Sequence, residues 1–244
     1  MLKASLLPLR SDRVVLRAMR REDAGAYAAG TSDPSVREYA HLPEPEYTEE
    51  SVLALIEGPI KEGLASGDLA VLTMTVPSTD EFAGSLVLFG PTGTSIEVGF
   101  WVHPDYRGRG LSADALALAH DFARRSGFTT VTARTAPKNS ASQRTLDRSG
   151  YLRSGSAPGT TPAGESMDLL HYRRPLEPPN PSGSTDLREN AVGQGDGSVS
   201  EPVTTAEARD QLPNPGSRDA QTHRAPHQQQ NAAPTGRSTD RPPD

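Results

Sequence analysis

The sequence has no cysteine and a single tryptophan, and aromatic residues make up only 5% of its 244 positions. Without cysteine there is no disulfide scaffold, no thiol nucleophile and no Cys-ligated zinc. No apolar run approaches the ~20 residues of a membrane-spanning helix, and the first ten residues are too short and interrupted for a signal peptide. The expectation is a soluble cytoplasmic chain with no membrane partner. A net charge of −6 speaks against a nucleic-acid partner. At ~100–200 residues per domain, the length allows one domain with an appendage or two small domains.

Large apolar residues run out before the chain does. Tyr172 is the last aromatic, and beyond residue 177 only Leu187, Val192, Val199, Val203 and Leu212 are large and apolar, with no period. That stretch is Pro, Gly, Ser, Gln and charge, and it cannot offset ~1–2 kcal/mol of backbone entropy per residue. The expected organisation is a folded domain over 1–176 and a disordered tail over 177–244. His223 and His227 lie four apart in a Pro-containing stretch, which is more simply chance than a ligand pair; no metal is expected.

Charge within the domain is lopsided. From 22 to 105 there are fifteen acids against two bases, Arg37 and Lys61; from 107 to 153 there are nine bases against three acids. Two such clusters suit an enzyme that holds an anionic cofactor on one side and a cationic substrate on the other, and solvated faces would look the same. Glu38, Glu44, Glu46, Glu49 and Glu50 are the acids offered for attracting an ammonium group.

Residues 13–19 alternate Val14 and Leu16 with charged neighbours and read as an edge strand. Helical stretches follow at 22–29 and 35–39, and Thr48 is a good N-cap for a helix carrying Val52, Leu55 and Ile56 on one face. Three strands in meander spacing are expected at 69–76, 82–89 and 95–102, with turns at 77–80 and 90–93. Leu111, Ala115, Leu118, Ala119 and Phe122 then form the stripe of an amphipathic helix ending at Gly127. A strand at 129–135, a helix at 139–149 and strands at 151–154 and 167–172 complete the pattern. The fold class is α/β, with a mixed, mostly antiparallel central sheet flanked by helices.

Chemistry concentrates in Tyr106-Arg107-Gly108-Arg109-Gly110-Leu111-Ser112, between a strand and the long helix. Glycines there let backbone approach a ligand, the first-turn N–H groups are unpaired, and the two arginines add charge. This is an anion site, although an ordinary helix start with two glycines has the same appearance. No Gly-Lys-Ser/Thr follows, so it is not a nucleotide P-loop, and the preceding meander excludes a dinucleotide fold.

The order strand, Arg107-x-x-Gly110-x-Ser112, long helix, strand, Asn139-Ser140-Ala141-Ser142 and Gly150-Tyr151 resembles the GCN5-related N-acetyltransferase (GNAT) superfamily. The strings IEVGFWVHPDYRGRGLSADAL and NSASQRTLDRSGYL are most similar to its branch of ribosomal-protein N-terminal acetyltransferases. Ser112 stands where the family usually has Gly or Ala. The resemblance implies acetyl-CoA as co-substrate, its pyrophosphate on the backbone of Arg107, Gly108, Arg109, Gly110, Leu111 and Ser112, and its pantetheine paired along Trp101 and Val102. It implies that Asn139 touches the cofactor arm and that Ser142 donates to the departing thiolate; both positions also suit plain helix capping.

Glu97, between Ile96 and Val98, is the candidate general base, with a cross-strand charge pair as its alternative role. Tyr151 falls where the family has an aromatic and is read as core. After Gly150-Tyr151 the branch continues into a charged segment, but here the chain is mostly small and uncharged, with Glu165 as the nearest acid before Asp168. The expected activity is acetyl transfer to a primary amine, on a small molecule or a protein N-terminus, by direct attack in a ternary complex. A non-catalytic acyl-CoA sensor and an enzyme for another acyl-CoA are the alternatives.

Overall fold

The computed structural model describes residues 1–177, apart from 41, 43, 45 and 161–165. The expected tail therefore lies, save for Glu177, outside the described residues, as does Glu165.

Eight strands form one sheet: β1 (Leu9–Arg10), β2 (Val15–Ala18), β3 (Ala70–Thr75), β4 (Phe82–Thr92), β5 (Ser95–Val102), β6 (Thr130–Thr135), β7 (Leu152–Thr160) and β8 (Ser166–Pro175). Their spatial order is β1-β2-β3-β4-β5-β6-β8-β7, and every neighbouring pair is antiparallel except β5 with β6. Helices α1 (Ala24–Thr31), α2 (Pro34–Tyr39), α3 (Glu49–Leu55) and α4 (Lys61–Ser66) lie between β2 and β3 in the chain; α5 (Leu111–Arg125) joins β5 to β6, and α6 (Ser140–Arg148) follows β6. A mixed, mostly antiparallel sheet flanked by helices is the fold class expected from the sequence. No helix among the described residues is long and apolar enough to cross a membrane.

The strand over 13–19 is not an edge. Leu9 and Arg10 pair outside it, and Val14, Val15, Leu16 and Arg17 are all buried. Arg17 survives there because its guanidinium meets both oxygens of Asp23, at 2.8 and 2.9 Å, while Thr73 donates to the same carboxylate at 3.0 Å. Alternation misleads at this point because a buried charge with full hydrogen-bonding counts, in sequence, as a surface residue.

Local chemistry sets the helix ends. Thr48 and Ser51 form a reciprocal capping box at α3. Between α3 and α4 the chain makes a π-type turn over Ile56–Ile60, where Gly58 leaves helical geometry and Pro59 offers no N–H. Helix α5 buries Leu111, Ala115, Leu116, Ala119, Phe122 and Ala123, carries Arg124 and Arg125 in its last turn, and stops before Gly127 at φ +97°. The turn expected at 90–93 is tighter: β4 runs to Thr92 through an irregularity after Phe89. Strand β8 inserts between β6 and β7, an order that chain sequence does not suggest.

Two apolar clusters result. The larger places α5 and Leu146 of α6 against Leu16, Leu72, Leu86, Ile96 and Val131. The smaller gathers Ala24, Tyr27, Val36 and Val52 of α1, α2 and α3 against Phe82 of β4 and Trp101 of β5.

Candidate functional site

Strands β5 and β6 pair only over three rungs, Ser95↔Thr130, Ile96↔Val131 and Glu97↔Thr132. Beyond Glu97 the strands separate, and the sheet opens into a cleft. The C-terminal half of β5, the 103–110 loop, the start of α5 and the start of α6 surround a cavity of about 470 Å³. Trp101, Val102, Arg107, Gly108, Gly110, Leu111, Ser112, Asn139 and Ser142 all line it, so the structure brings together most of the residues singled out from sequence. Phe100, Lys138 and residues of α2 complete the wall.

Gly110 is the N-cap of α5 at φ +77° and brings no side chain to cap the helix. Its conformation is one that L-residues with a Cβ rarely adopt, and it leaves the first-turn N–H groups facing the cavity. Asp114, an acid in that first turn, is held away: Arg13 grips it through two bonds of 3.0 and 2.6 Å. The positive end of α5 is thus left for a ligand.

The two arginines of the loop diverge. Arg107 donates to Asp33 Oδ1 at 2.6 Å, and this hydrogen bond holds the Asp33 carboxyl below the usual range. Asp33 is also the N-cap of α2, accepting from the backbone N–H of Ser35 and Val36, so one carboxylate ties the loop to that helix. Arg109 lies outside the cavity lining; it donates to the Asp105 carbonyl at 2.8 Å and stacks 5.0 Å over the Tyr106 ring. Asn139 caps α6, its Oδ1 accepting from the Ser142 N–H at 3.0 Å. The Ser142 side chain stands in the cavity wall.

Glu97 takes a different place. It is absent from the cavity lining, and Arg134, two residues beyond the last rung on β6, donates to its Oε1 at 2.8 Å. The cross-strand pair anticipated as the alternative therefore exists, at the apex of the cleft. The five glutamates offered for attracting an ammonium group line neither this cavity nor the next. Glu49 and Glu50 occupy the first turn of α3, and Glu46 faces Arg37 at 3.6 Å.

A second cavity, about 270 Å³, lies on the α1–α4 face of the sheet. Trp101 forms part of both: its ring packs edge-on to Tyr27 at 5.3 Å and near Phe82 at 5.7 Å. Gly30 makes room for that ring, since a Cβ there would stand 2.7 Å from it. Ala40, Phe100 and Trp101 line the two cavities in common. Sequence reasoning missed this second cavity, along with Asp33 and Arg134. The only sequence sign of Arg134 is the alternation of Thr130, Thr132 and Arg134 along β6.

Comparison with known proteins agrees with this architecture. A GNAT-family acetyltransferase from Bacillus anthracis superposes with a TM-score of 0.60 at 21% identity, covering 70% of this chain and 99% of that one. Mycobacterium smegmatis RimJ, solved in complex with CoA-disulfide, gives 0.61 at 21% identity over 69% of this chain and 86% of that one. The ribosomal-protein-S5-alanine acetyltransferase from Vibrio fischeri gives 0.62 at 15% identity over 70% and 97%. At such identities the likeness is one of fold. The acetyltransferase (GNAT) domain model matches residues 13–152, from the buried strand β2 through the loop, both helices of the cleft and into β7. With that match spanning more than half of its length, the chain belongs to the GNAT acetyltransferase family.

Proposed function

We propose that the protein transfers an acetyl group from acetyl-CoA to a primary amine, on a small molecule or a protein N-terminus, by direct attack in a ternary complex. The observation that carries this reading is the meeting of two cavities at Ala40, Phe100 and Trp101, where the sheet splits. One cavity is built for an anion and the other is not, which suits two substrates arriving from opposite faces. The first fits an elongated, phosphate-bearing ligand: uncapped N–H groups of α5, Gly108 and Gly110 without side chains, and Arg107 and Lys138 in the wall. Acetyl-CoA, when bound, supplies an activated thioester, and with no cysteine in the chain no thiol acyl-enzyme enters the route.

The protein's part is placement and proton handling. Backbone of Arg107, Gly108, Gly110, Leu111 and Ser112 holds the phosphates, and the open edge of β5 at Trp101 and Val102 aligns the arm. Arg109, turned onto Tyr106, shapes the loop. Asn139 fixes the first turn of α6, and this aims the Ser142 hydroxyl at the position of the leaving sulfur. Glu97, at the cleft apex, accepts the ammonium proton through water. Juxtaposition of the two substrates supplies much of the rate enhancement. The catalytic domain is residues 1–176, with 177–244 an appended tail.

Calorimetric titration with acetyl-CoA, paired with a thiol-release assay on primary amines, tests the reading. Micromolar binding with amine-dependent release is expected. Binding without release on any amine would make the protein an acyl-CoA sensor.

A further inference from the structure

The second cavity has a composition that specifies its occupant. Its floor is a row of three positions in register across the sheet, Val71 on β3, Val87 on β4 and Gly99 on β5. Gly99 is where the floor is open: a Cβ there would come within 3.2 Å of Val87 Cγ1, so any larger side chain would rise into the space. Leu55 and Ile60, from α3 and the π-type turn, form the opposite wall. No carboxylate or cationic side chain lines this cavity among the described residues.

Two of the hydroxyls present are already partnered. Ser85 donates to the Leu72 carbonyl at 3.1 Å, the Tyr47 hydroxyl accepts from the Glu44 N–H at 3.1 Å, and the Tyr27 ring packs edge-on to Trp101. An ion brought into such a space has no counter-charge and loses its hydration, whereas an apolar body gains ~25 cal/mol per Å² buried. A dry cavity of ~150 Å³ accepts benzene. By that measure, about 270 Å³ takes an aromatic ring with a short alkyl arm.

We propose that the acceptor is a primary amine carried on a small apolar body, an arylalkylamine or alkylamine. Its ring or chain lies over Val71, Val87 and Gly99, and its amine reaches the seam at Ala40, Phe100 and Trp101. This rests on the acetyl-transfer reading above and narrows its substrate to small apolar amines, ahead of polar peptide N-termini and polyamines.

Trp101 is the only tryptophan and stands in the cavity wall, so its fluorescence reports occupancy whether or not turnover follows. Phenethylamine and tryptamine analogues lacking indole fluorescence, spermidine, and peptides beginning with Ala or Ser would be titrated into the full chain. Fluorescence and thiol release would be recorded for each. The expected result is a saturable fluorescence change with phenethylamine and a kcat/KM at least tenfold above that of spermidine or the peptides.

Gly99→Val fills the floor and should cost phenethylamine 10- to 100-fold in kcat/KM, mainly through KM. Leu55→Glu, on a half-buried helix position away from the sheet, should do the same while improving spermidine. Equal or better kinetics with the peptides or spermidine would overturn the apolar-acceptor proposal and leave acetyl transfer standing. Saturable fluorescence change without thiol release would retain the apolar cavity and sink acetyl transfer. No fluorescence response to phenethylamine would overturn the proposal directly.

Discussion

Arg134 Nε donates to Glu97 Oε1 at 2.8 Å across the rung at which β5 and β6 part. The pair fixes the carboxylate at the apex of the cleft, with 21% of the Glu97 side chain exposed, enough to reach water but not to swing freely. If Glu97 takes the amine proton, Glu97→Gln lowers kcat/KM by roughly 10²–10⁴-fold, and the loss shrinks at high pH, where the amine is already neutral. Arg134 is then a positioning residue. Arg134→Ala should reduce kcat while leaving acetyl-CoA affinity unchanged, and should add little to Glu97→Gln in the double variant, because it acts through the same carboxylate. Full activity of Glu97→Gln at neutral pH in pH–rate profiles would return Glu97 to a purely structural pair.

Ser142→Ala should behave differently. Removing a donor to the leaving sulfur costs on the order of tenfold to a hundredfold in kcat, below a main oxyanion donor because water replaces part of it. The effect should not follow the pH that governs the amine. Acetyl-CoA binding by calorimetry should be near normal, since the N–H that Asn139 caps belongs to the backbone and survives the change.

Gly110→Val places a β-branched residue at φ +77°, where L-residues pay roughly 1–2 kcal/mol. A Cβ there meets only Arg13, at 3.6 Å, so strain rather than collision is the cost, and the fold should tolerate it. The backbone turn that presents the α5 N–H groups should not survive intact. Calorimetry should show acetyl-CoA affinity reduced at least tenfold with circular dichroism unchanged; unaltered affinity would place the phosphates elsewhere.

Acid sensitivity has two separable origins. His120 is buried, shares a 2.8 Å hydrogen bond with Tyr151, and is pushed down from 6.5 to about 3, first by burial and then by the nearby Arg174 charge. Its neutral form is favoured in the folded protein, so the contribution is complete above pH 6.5. It is lost as pH falls from there toward 3, at up to about 1.4 kcal/mol per pH unit. Asp33, Asp80 and Asp114 are held below their usual 3.8 chiefly by hydrogen bonds from Arg107, Arg17 and Arg13. Their contributions persist until pH drops beneath 3.8. Between pH 6.5 and 4 the slope therefore belongs to His120. Urea midpoints should fall across that window in the parent and stay nearly flat in His120→Gln.

The boundary of the domain is open to a direct check. Leu176 is buried and its N–H bonds the Thr129 carbonyl at 2.8 Å, so it closes the sheet at β6. A chain ending at Pro178 should match the full chain in melting temperature and acetyl-CoA affinity. A drop in either would give the tail a part in the fold or the site.

Much of this molecule was legible in one dimension because the signals were local. The β5 strand, the α5 stripe, the Thr48 cap and the glycine-bearing loop each depend on neighbours within a few residues, and each forms where periodicity and turn chemistry place it. Residues 13–19 misread because Arg17 is neutralised by Asp23 and Asp80, the second of them sixty-three positions away, and Thr73 supports the Asp23 carboxylate. The five glutamates of the acidic stretch suit either attraction of an amine or a plain solvated face. All five are exposed, Glu38 on α2, Glu44 and Glu46 ahead of α3, and Glu49 and Glu50 in its first turn, and the second cavity is lined by Leu, Val, Ile and Tyr instead.

By itself the sequence determined that a helix begins at Leu111 behind a glycine-bearing loop, that Asn139 opens another, and that a meander precedes them. Backbone sterics and caps require nothing distant. Only the tertiary structure decided that β8 lies between β6 and β7, and that Arg107 spends its charge on Asp33. The same holds for the Glu97–Arg134 pair at the cleft apex and for the Val71–Val87–Gly99 row under a second cavity. Those relationships depend on strand order and register, which arise when many weak, long-range contacts are satisfied together, and no window of neighbouring residues contains them.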